Sequence, residues 1–178
     1  MNIELNSWHH NCFRQDSDFC TDRGPDYDEL MLGLETFYDE VEDNEWTTRQ
    51  IIDELGGEEN LIAAFLFWPN KVKECLTYNG SRAYTILRQV WEAFTYDKVI
   101  VPLRMYDHSA CIFYSGDRKT DRWDTSLVGF VVLHHDGTLS EKEAERYIDE
   151  YLEDFTDEYN GWYDEQYDEQ YEEEEGTV

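Results

Sequence analysis

Three apolar runs are the strongest indication of the fold class: VIVPLRMY at residues 99–106, ACIFY at residues 110–114 and LVGFVVL at residues 127–133. Each run is rich in β-branched and aromatic residues, a composition that is typical of β-strands. Pro102 cannot donate a backbone hydrogen bond, so the first strand is expected at a sheet edge or at a bulge. Because only three and twelve residues separate the runs, the simplest arrangement is a three-stranded antiparallel meander.

Helical periodicity is found on both sides of these strands. Short helices are indicated from Asp26 onwards, after Thr47 or Thr48, over residues 61–68 and after Ser81. After the strands, Ser140 and Glu143 have the spacing of a capping box, which marks the start of a helix. The apolar face of that helix contains Tyr147, Ile148, Tyr151, Leu152 and Phe155. Asn160-Gly161 is expected to end it.

The predicted fold class is therefore α+β, with N-terminal helices, a three-stranded antiparallel sheet and a C-terminal acidic helix. A chain of 178 residues with 40 % hydrophobic residues is suited to one domain, which we place at residues 1–161. Residues 1–25 are expected to be irregular. Residues 162–178 are an acidic, Tyr-rich tail that is expected to be either helical or disordered.

The negative charge of the chain is large and localised. The net charge is −28, and residues 1–70 and 141–178 each contain 17 acidic side chains, whereas the segment between them is close to neutral. Self-repulsion on this scale destabilises a compact state, so we expect an external partner to use it. The same charge argues against direct nucleic-acid binding, which requires positive charge.

The compartment is predicted from the termini, the hydropathy and the cysteines. No apolar run approaches the roughly 18 residues that cross a membrane. Residues 1–5 lack the features of a secretory signal. The four cysteines have no paired spacing, which favours reduced thiols. A cytoplasmic location, in a bacterial host, is therefore the expectation, with no membrane partner.

Carboxylates on the C-terminal helix are the strongest candidate site. Five of them recur at four-residue steps opposite the apolar face: Glu141, Glu145, Asp149, Glu153 and Asp157. Such a row rises about 6 Å per step, close to the roughly 6–7 Å between phosphates along one DNA strand. Further carboxylates complete the predicted partner-binding surface: Asp154 and Glu158, with Glu143 and Glu150 beside them, and Asp39, Glu42 and Asp43 from the first acidic block. The alternative is a solvated face that only maintains solubility.

Two smaller groups could carry chemistry. The first contains His9, His10, Cys12 and Cys20, which could supply four zinc ligands, although adjacent histidines rarely bind one metal. Metal binding there stays open.

The second group contains Asp107, His108 and Asp124, which could form a small hydrolase site with His108 as the base. His108 and Ser109 are adjacent on an extended segment and point to opposite faces, so they are a poor pair of base and nucleophile. Residues 134–137 (HHDG) are expected to be a turn with exposed histidines. We expect no catalytic residues and no cofactor.

Three motifs in the C-terminal half carry a resemblance. Residues 102–110 read PLRMYDHSA, residues 122–130 read RWDTSLVGF and residues 157–161 read DEYNG. They resemble motifs of a family of small, acidic, largely uncharacterised proteins encoded by bacteriophages and conjugative elements, roughly PLYxYDHSG, CxWDSGQVGFIY and a closing YDQYLxG. Ala110 replaces the glycine of the first motif, and residues 125–127 (TSL) replace Ser-Gly-Gln of the second.

The resemblance covers about residues 99–161 and implies an origin in a mobile element rather than a known reaction. Small, acidic proteins of that setting often resemble antirestriction or anti-CRISPR inhibitors. Our first hypothesis is a non-enzymatic DNA mimic that binds a basic, DNA-binding host defence protein, a restriction or CRISPR nuclease. The alternative is a small metal-binding protein or hydrolase that uses the Asp107, His108 and Asp124 group, and a third possibility is an adaptor. The identity of the partner and the oligomeric state stay open.

Overall fold

The structure is a computed structural model that describes residues 2–7, 25–107, 110–116 and 125–175. Those residues form six α-helices and four β-strands: β1 (Asn2–Ser7), α1 (Tyr27–Glu40), α2 (Thr48–Glu54), α3 (Glu58–Leu66), α4 (Pro69–Leu76), α5 (Ala83–Phe94), β2 (Lys98–Asp107), β3 (Cys111–Ser115), β4 (Thr125–His134) and α6 (Glu141–Glu175). The predicted α+β class is confirmed. In the described part of the chain, no helix has the length and hydropathy required to cross a membrane.

Within the described residues, the sheet has four strands rather than the predicted three, in the order β1-β4-β2-β3, and all neighbours are antiparallel. The extra strand is β1, which lies in the segment expected to be irregular. Ile3 and Leu5 of β1 stand opposite Leu133 and Val131 of β4. The predicted meander is wrong as well, because β4 pairs with β2 and not with β3.

Strand β2 is central in the strand order, but Pro102 lies in its first half, which pairs with β4 only, so the proline has the expected edge position. The ladder between β2 and β3 begins at Leu103, so no β3 residue stands opposite the proline. The alternative expectation of a bulge is supported one residue further on. Leu103 pairs with Gly129 and Arg104 with Leu127, which leaves Val128 as an extra residue in β4.

Each face of the sheet is covered by helices. On one face, α6 buries Ala144, Ile148 and Leu152 against Leu103 and Val131. The opposite face carries Ile100, Phe130 and Val132, which contact Ile62 and Leu66 of α3 and Trp91 and Phe94 of α5. Helices α1, α2 and α4 complete the layer of α3 and α5 through a separate core around Leu30, Leu34 and Phe37. The fold therefore has α6 on one side of the sheet and five helices on the other.

The helix caps agree with the sequence, except at the end of α6. Thr47 and Gln50 form a capping box at α2. At α6, the Ser140 N–H donates to Glu143 Oε2 (3.1 Å) and the Glu143 N–H donates to Ser140 Oγ (3.4 Å). The prediction that Asn160-Gly161 ends α6 is wrong, since the helix continues to Glu175. Gly161 does not adopt the positive φ that a glycine cap requires.

Gly33 and Gly161 are both helical glycines, and they are expected to respond to alanine in opposite directions. A Cβ atom at Gly33 would meet the carbonyl oxygen of Glu54 and lie 3.0 Å from Leu55 Cα, both of them backbone atoms. We expect Gly33→Ala to lower the free energy of unfolding by about 1–3 kcal/mol. A Cβ atom at Gly161 meets no described atom within 4 Å, so Gly161→Ala should raise the free energy of unfolding by about 0.5–1 kcal/mol. Urea denaturation measures both, and equal effects would contradict the close crossing of α1 and α2.

Candidate functional site

Helix α6 packs along β3, the strand at one edge of the sheet. The Phe113 ring contacts the rings of Phe155 and Tyr159 edge-to-face, with centroids 4.9 and 5.0 Å apart. Phe155 is 7 % exposed and Tyr159 2 % exposed, so these rings are part of the core under α6. The aromatic contacts hold α6 close enough to β3 for its polar side chains to reach the strand backbone.

Two of these side chains, Thr156 and Asn160, form what we call the edge clamp. The Cys111 N–H donates to Asn160 Oδ1 (3.1 Å), and Asn160 Nδ2 donates to the Cys111 carbonyl (2.8 Å). The Phe113 N–H donates to Thr156 Oγ1 (3.0 Å). Four helical residues rise about 6 Å and two strand residues about 6.8 Å, so the two repeats match. The clamp occupies backbone groups that an added strand would need.

A groove of about 570 Å³ lies between β3 and α6. We call Glu141, Glu145, Asp149, Glu153 and Asp157 the acidic row; all five are exposed. Four of them, all except Glu141, line the groove. The other groove residues are Ile112, Phe113 and Tyr114 of β3 and Lys142, Arg146, Glu150, Leu152 and Thr156 of α6. The predicted row is therefore one wall of a concave surface.

The remaining predicted carboxylates of α6 are placed differently. Asp154 and Glu158 are exposed but do not line the groove. Glu143 is exposed too, and its carboxylate is held by Ser140 in the capping box. Of the four carboxylates that were predicted beside the acidic row, Glu150 therefore lies in the groove and the other three do not.

The charge of the groove is graded along α6. Lys142 and Arg146 lie at its N-terminal end, where Arg146 Nε is 3.6 Å from Glu150 Oε1. Within the described residues, this is the one ion pair that an α6 carboxylate makes. From residue 147 to Glu175 the sequence of the helix contains 14 acidic residues and no Lys or Arg. Asp149, Glu153 and Asp157 therefore form the most negative part of the groove.

The predicted residues of the first acidic block lie on the other side of the sheet. Asp39 belongs to α1, and Glu42 and Asp43 follow it; all three are exposed. Glu42 Oε1 accepts the Arg82 N–H (3.3 Å) at the start of α5, a favourable position for a carboxylate. Because α1 and α6 are in the two outer layers, the structure does not bring these carboxylates together with the acidic row.

Asp39 lines a separate cavity of about 350 Å³ between α1 and α4. The other lining residues are Glu35, Tyr38, Glu74, Cys75 and Tyr78. Burial, with a smaller contribution from the Glu35 carboxylate, raises the pKa of the Cys75 thiol. This shift disfavours the thiolate, which is the reactive form of a cysteine.

The two groups that could carry chemistry lie largely outside the described residues. This holds for His9, His10, Cys12 and Cys20, and also for His108 and Asp124. Of Asp107, only the backbone at the end of β2 is described. The described residues contain no group of three or more His, Cys, Asp or Glu side chains that could hold a metal ion.

The turn predicted at residues 134–137 is present, with Gly137 at a φ of 87°. The Asp136 carboxylate accepts the Thr138 N–H (3.1 Å), which fixes the turn. The two histidines are half-buried rather than exposed. His134 Nε2 of β4 lies 3.3 Å from Glu4 Oε1 of the neighbouring strand β1.

Thr156, Asn160 and Ile112 were not predicted as site residues from the sequence, where Asn160 was expected only to end a helix. Thr156 and Asn160 are uncharged polar residues four positions apart, each directly after a buried aromatic residue of α6. That pattern was a usable signal for a side-chain contact to a strand edge. Ile112 is 44 % exposed, and nothing in a short apolar strand indicates which of its residues is open to solvent.

The edge clamp can be tested at Thr156, where serine is a matched control. Thr156→Val keeps the shape but removes the acceptor for the Phe113 N–H, so we expect the free energy of unfolding to fall by about 1–2 kcal/mol. Thr156→Ser keeps the hydroxyl, so its free energy of unfolding should fall by less. The more specific measurement is hydrogen exchange at the Phe113 amide, which should accelerate in the valine variant and not in the serine variant. Equal exchange in the two variants would contradict the clamp.

The capping box at α6 gives a prediction on pH. The hydroxyl and the backbone N–H of Ser140, with a smaller effect of Arg146, hold the pKa of Glu143 below its ordinary value of 4.5. A lowered native pKa contributes stability that is present above about pH 4.5 and is lost as the pH falls through the native pKa. NMR titration of the side-chain carboxyl should show Ser140→Ala raising this pKa towards 4.5, and Arg146→Gln raising it less. The reverse order would show that charge, and not the cap, lowers it.

Comparison with known proteins gives no match. No protein-family model matches the chain. No curated protein sequence and no solved structure matches it either.

Proposed function

We propose that this protein is a non-enzymatic DNA mimic that inhibits a host DNA-binding defence protein, a restriction or CRISPR nuclease. The acidic row of α6 replaces phosphates against Lys and Arg side chains of the nuclease. The mobile-element origin that the sequence motifs imply is part of this proposal. The observation that carries it is the row itself: exposed carboxylates at one-turn intervals along one wall of a groove.

The geometry of the row supports mimicry of one DNA strand. Residues four apart on an α-helix rise about 6 Å and rotate by about 40° in the right-handed sense. The row therefore winds around α6 with the same hand as a DNA backbone, at a spacing close to that of its phosphates. A flat acidic patch without this repeat would supply negative charge, but its carboxylates would not match the positions of successive phosphates.

The electrostatics of α6 support the same function. Like charges four residues apart destabilise a helix, and α6 has no cation after Arg146 to offset them. The acidic row makes no contribution to the core, which is formed by the opposite face of α6. The fold therefore gives no reason for the repulsion between the carboxylates of the acidic row. A cationic surface of a partner relieves this repulsion.

Helix α6 is a better candidate than the first acidic block. Glu42 already serves as an acceptor at the start of α5, and Asp39 lines a cavity in the helical layer. Since the sheet separates the two blocks, one groove of a nuclease contacts one of them at a time. We assign the interaction to α6.

Neutralising the row without changing its shape should abolish inhibition. The variant combines Asp149→Asn, Glu153→Gln and Asp157→Asn; the asparagine at 149 keeps an oxygen for the Ser115 hydroxyl, which is 3.4 Å from Asp149 Oδ1. In plasmid-cleavage assays with purified restriction and CRISPR nucleases, we expect the inhibitory concentration to rise by about tenfold or more. Inhibition by the unmodified protein should weaken with salt, because its association is electrostatically steered.

The matched control removes three charges from the other layer, in the variant Asp39→Asn, Glu40→Gln and Asp43→Asn. It has the same net charge as the α6 variant, so an effect of overall charge alone would be equal in both. We expect the control to inhibit like the unmodified protein. The proposal is refuted if no nuclease of either class is inhibited, or if the two variants lose inhibition equally.

A further inference from the structure

We infer that the outer edge of β1 binds an extended, basic segment of a partner protein, which joins the sheet as an additional strand. The segment has apolar residues beside Ile3 and Leu5 and a Lys or Arg beside Glu4. This surface goes beyond the proposed function, because β1 and β3 are at opposite edges of the described sheet. The inference follows from the unpaired edge of β1, from two half-buried apolar side chains and from the charge.

Strand β1 has the hydrogen-bonding groups that an added strand requires. It stands at the end of the strand order, and β4 is the one strand that pairs with it among the described residues. In an antiparallel pair, the N–H and C=O groups of alternate residues point away from the partner strand. No other backbone hydrogen bond involves β1 in the described part of the chain. A row of backbone donors and acceptors is therefore open along this edge.

The two edges of the described sheet differ in their protection. At β3, Asn160 and Thr156 bind the backbone of Cys111 and Phe113. Strand β1 lacks three features that commonly block an edge, since its six residues contain no Pro and no Lys and its register with β4 has no bulge. Strand addition is therefore blocked at β3 and open at β1.

Ile3 and Leu5 specify one side of the added strand. Both side chains are half-buried and pack against the core under α6, where they stand opposite Leu133 and Val131 of β4. Because side chains alternate between the faces of a sheet, alternate residues of an added strand lie beside these two. Apolar residues at those positions cover the part of Ile3 and Leu5 that is still open to water.

Glu4 specifies the other side of the added strand. Its side chain is 55 % exposed, on the face of the sheet away from α6. Glu4 Oε1 accepts the side-chain amide of Asn2 (3.3 Å) and lies 3.3 Å from His134 Nε2, whereas Oε2 accepts no hydrogen bond from a described residue. A Lys or Arg directly opposite forms a cross-strand ion pair with this carboxylate. The central pattern of the segment is therefore apolar-basic-apolar.

The charge of the chain favours a basic partner over a second copy. An unpaired strand can also pair with the same edge of another molecule. A second copy would bring another net charge of −28 and another Glu4 to this edge, so the two molecules would repel each other. The same field attracts a cationic segment. The occupant is therefore an extended, basic segment of a different protein.

The test compares two short, capped peptides of the same composition and charge. The matched peptide has the central sequence Thr-Val-Lys-Val-Thr, with both Val on one face of a strand and Lys on the other. The swapped peptide, Val-Thr-Lys-Thr-Val, has Val and Lys on the same face, so it cannot satisfy Ile3, Leu5 and Glu4 together. In calorimetry with the full chain at low salt, the matched peptide should bind about tenfold more tightly. Equal affinities, or no binding by either peptide, would overturn the inference.

Hydrogen exchange shows whether the bound peptide is a strand. An added strand accepts hydrogen bonds from the N–H groups of β1 that point away from β4. The matched peptide should therefore slow exchange at alternate β1 amides that exchange rapidly in the free protein. Binding that leaves these amides unprotected occurs through side chains alone and would contradict strand addition.

Two variants of the chain locate the charge that selects the peptide. Glu4→Gln and its matched control in α1, Glu40→Gln, each remove one exposed carboxylate. Glu4→Gln should weaken the matched peptide by up to about fivefold, and Glu40→Gln should leave its affinity unchanged. Equal affinities of the two variants would refute the pairing of Lys with Glu4.

Sedimentation of the full chain alone distinguishes the partner from a second copy. We expect a monomer whose outward-facing β1 amides exchange rapidly. A dimer in which the same amides are already protected would assign this edge to a second copy and overturn the inference.

Discussion

The rest of the structure depends on the contact between α6 and the edge strand β3. Its apolar part, the Phe113, Phe155 and Tyr159 rings, closes the core on that face of the sheet. Its polar part, the edge clamp, supplies the hydrogen bonds that a fifth strand would otherwise provide. The same contact forms the groove, because β3 and the acidic row are its two walls. Core, edge and candidate site are thus consequences of one helix on one strand.

The layering also explains how the fold tolerates a net charge of −28. The near-neutral segment from residue 71 to residue 140 contains most of α4, all of α5 and three of the four described strands, so the neutral middle of the sequence includes most of the described sheet. The two acidic segments supply the outer layers on its two sides. Adjacent layers of a fold pack about 10 Å apart, so layers on either side of a sheet are about 20 Å apart, more than twice the roughly 8 Å Debye length at physiological salt. Repulsion between the two acidic segments is therefore largely screened, and most of the repulsion is within each layer.

The elements that local patterns specify were predicted from the sequence, and the long-range pairings were not. The capping box at Ser140 and the strands β2, β3 and β4 follow from residues close in sequence. The partner of β4 depends on whether it pairs beside β3 or beside β2, and short connections alone do not decide this. β1 was missed because six residues with two apolar side chains carry a weak signal.

The candidate site was only partly predicted, because its local features can be read from the sequence and its long-range contacts cannot. The spacing of the acidic row is a local property of α6, so its exposure followed from the apolar stripe on the opposite face. The groove is not local, since it requires β3 beside α6. Asn160 illustrates the limit: before a glycine it resembles a helix end, but its amide binds Cys111 and the helix continues. The two acidic blocks, both of which contain predicted partner-binding residues, lie on opposite sides of the sheet.

The edge clamp has one more consequence, which concerns angle rather than position. An α-helix turns about 100° per residue, so the hydrogen bonds that Thr156 accepts from Phe113 and that Asn160 exchanges with Cys111 set the rotation of α6 about its own axis. Because α6 is a single helix of 35 residues, that rotational phase holds for its backbone over about 52 Å. Two uncharged side chains thereby determine the direction in which the carboxylates of the acidic row point. A substitution in the clamp would re-aim the electric field of the protein while its charge stayed the same.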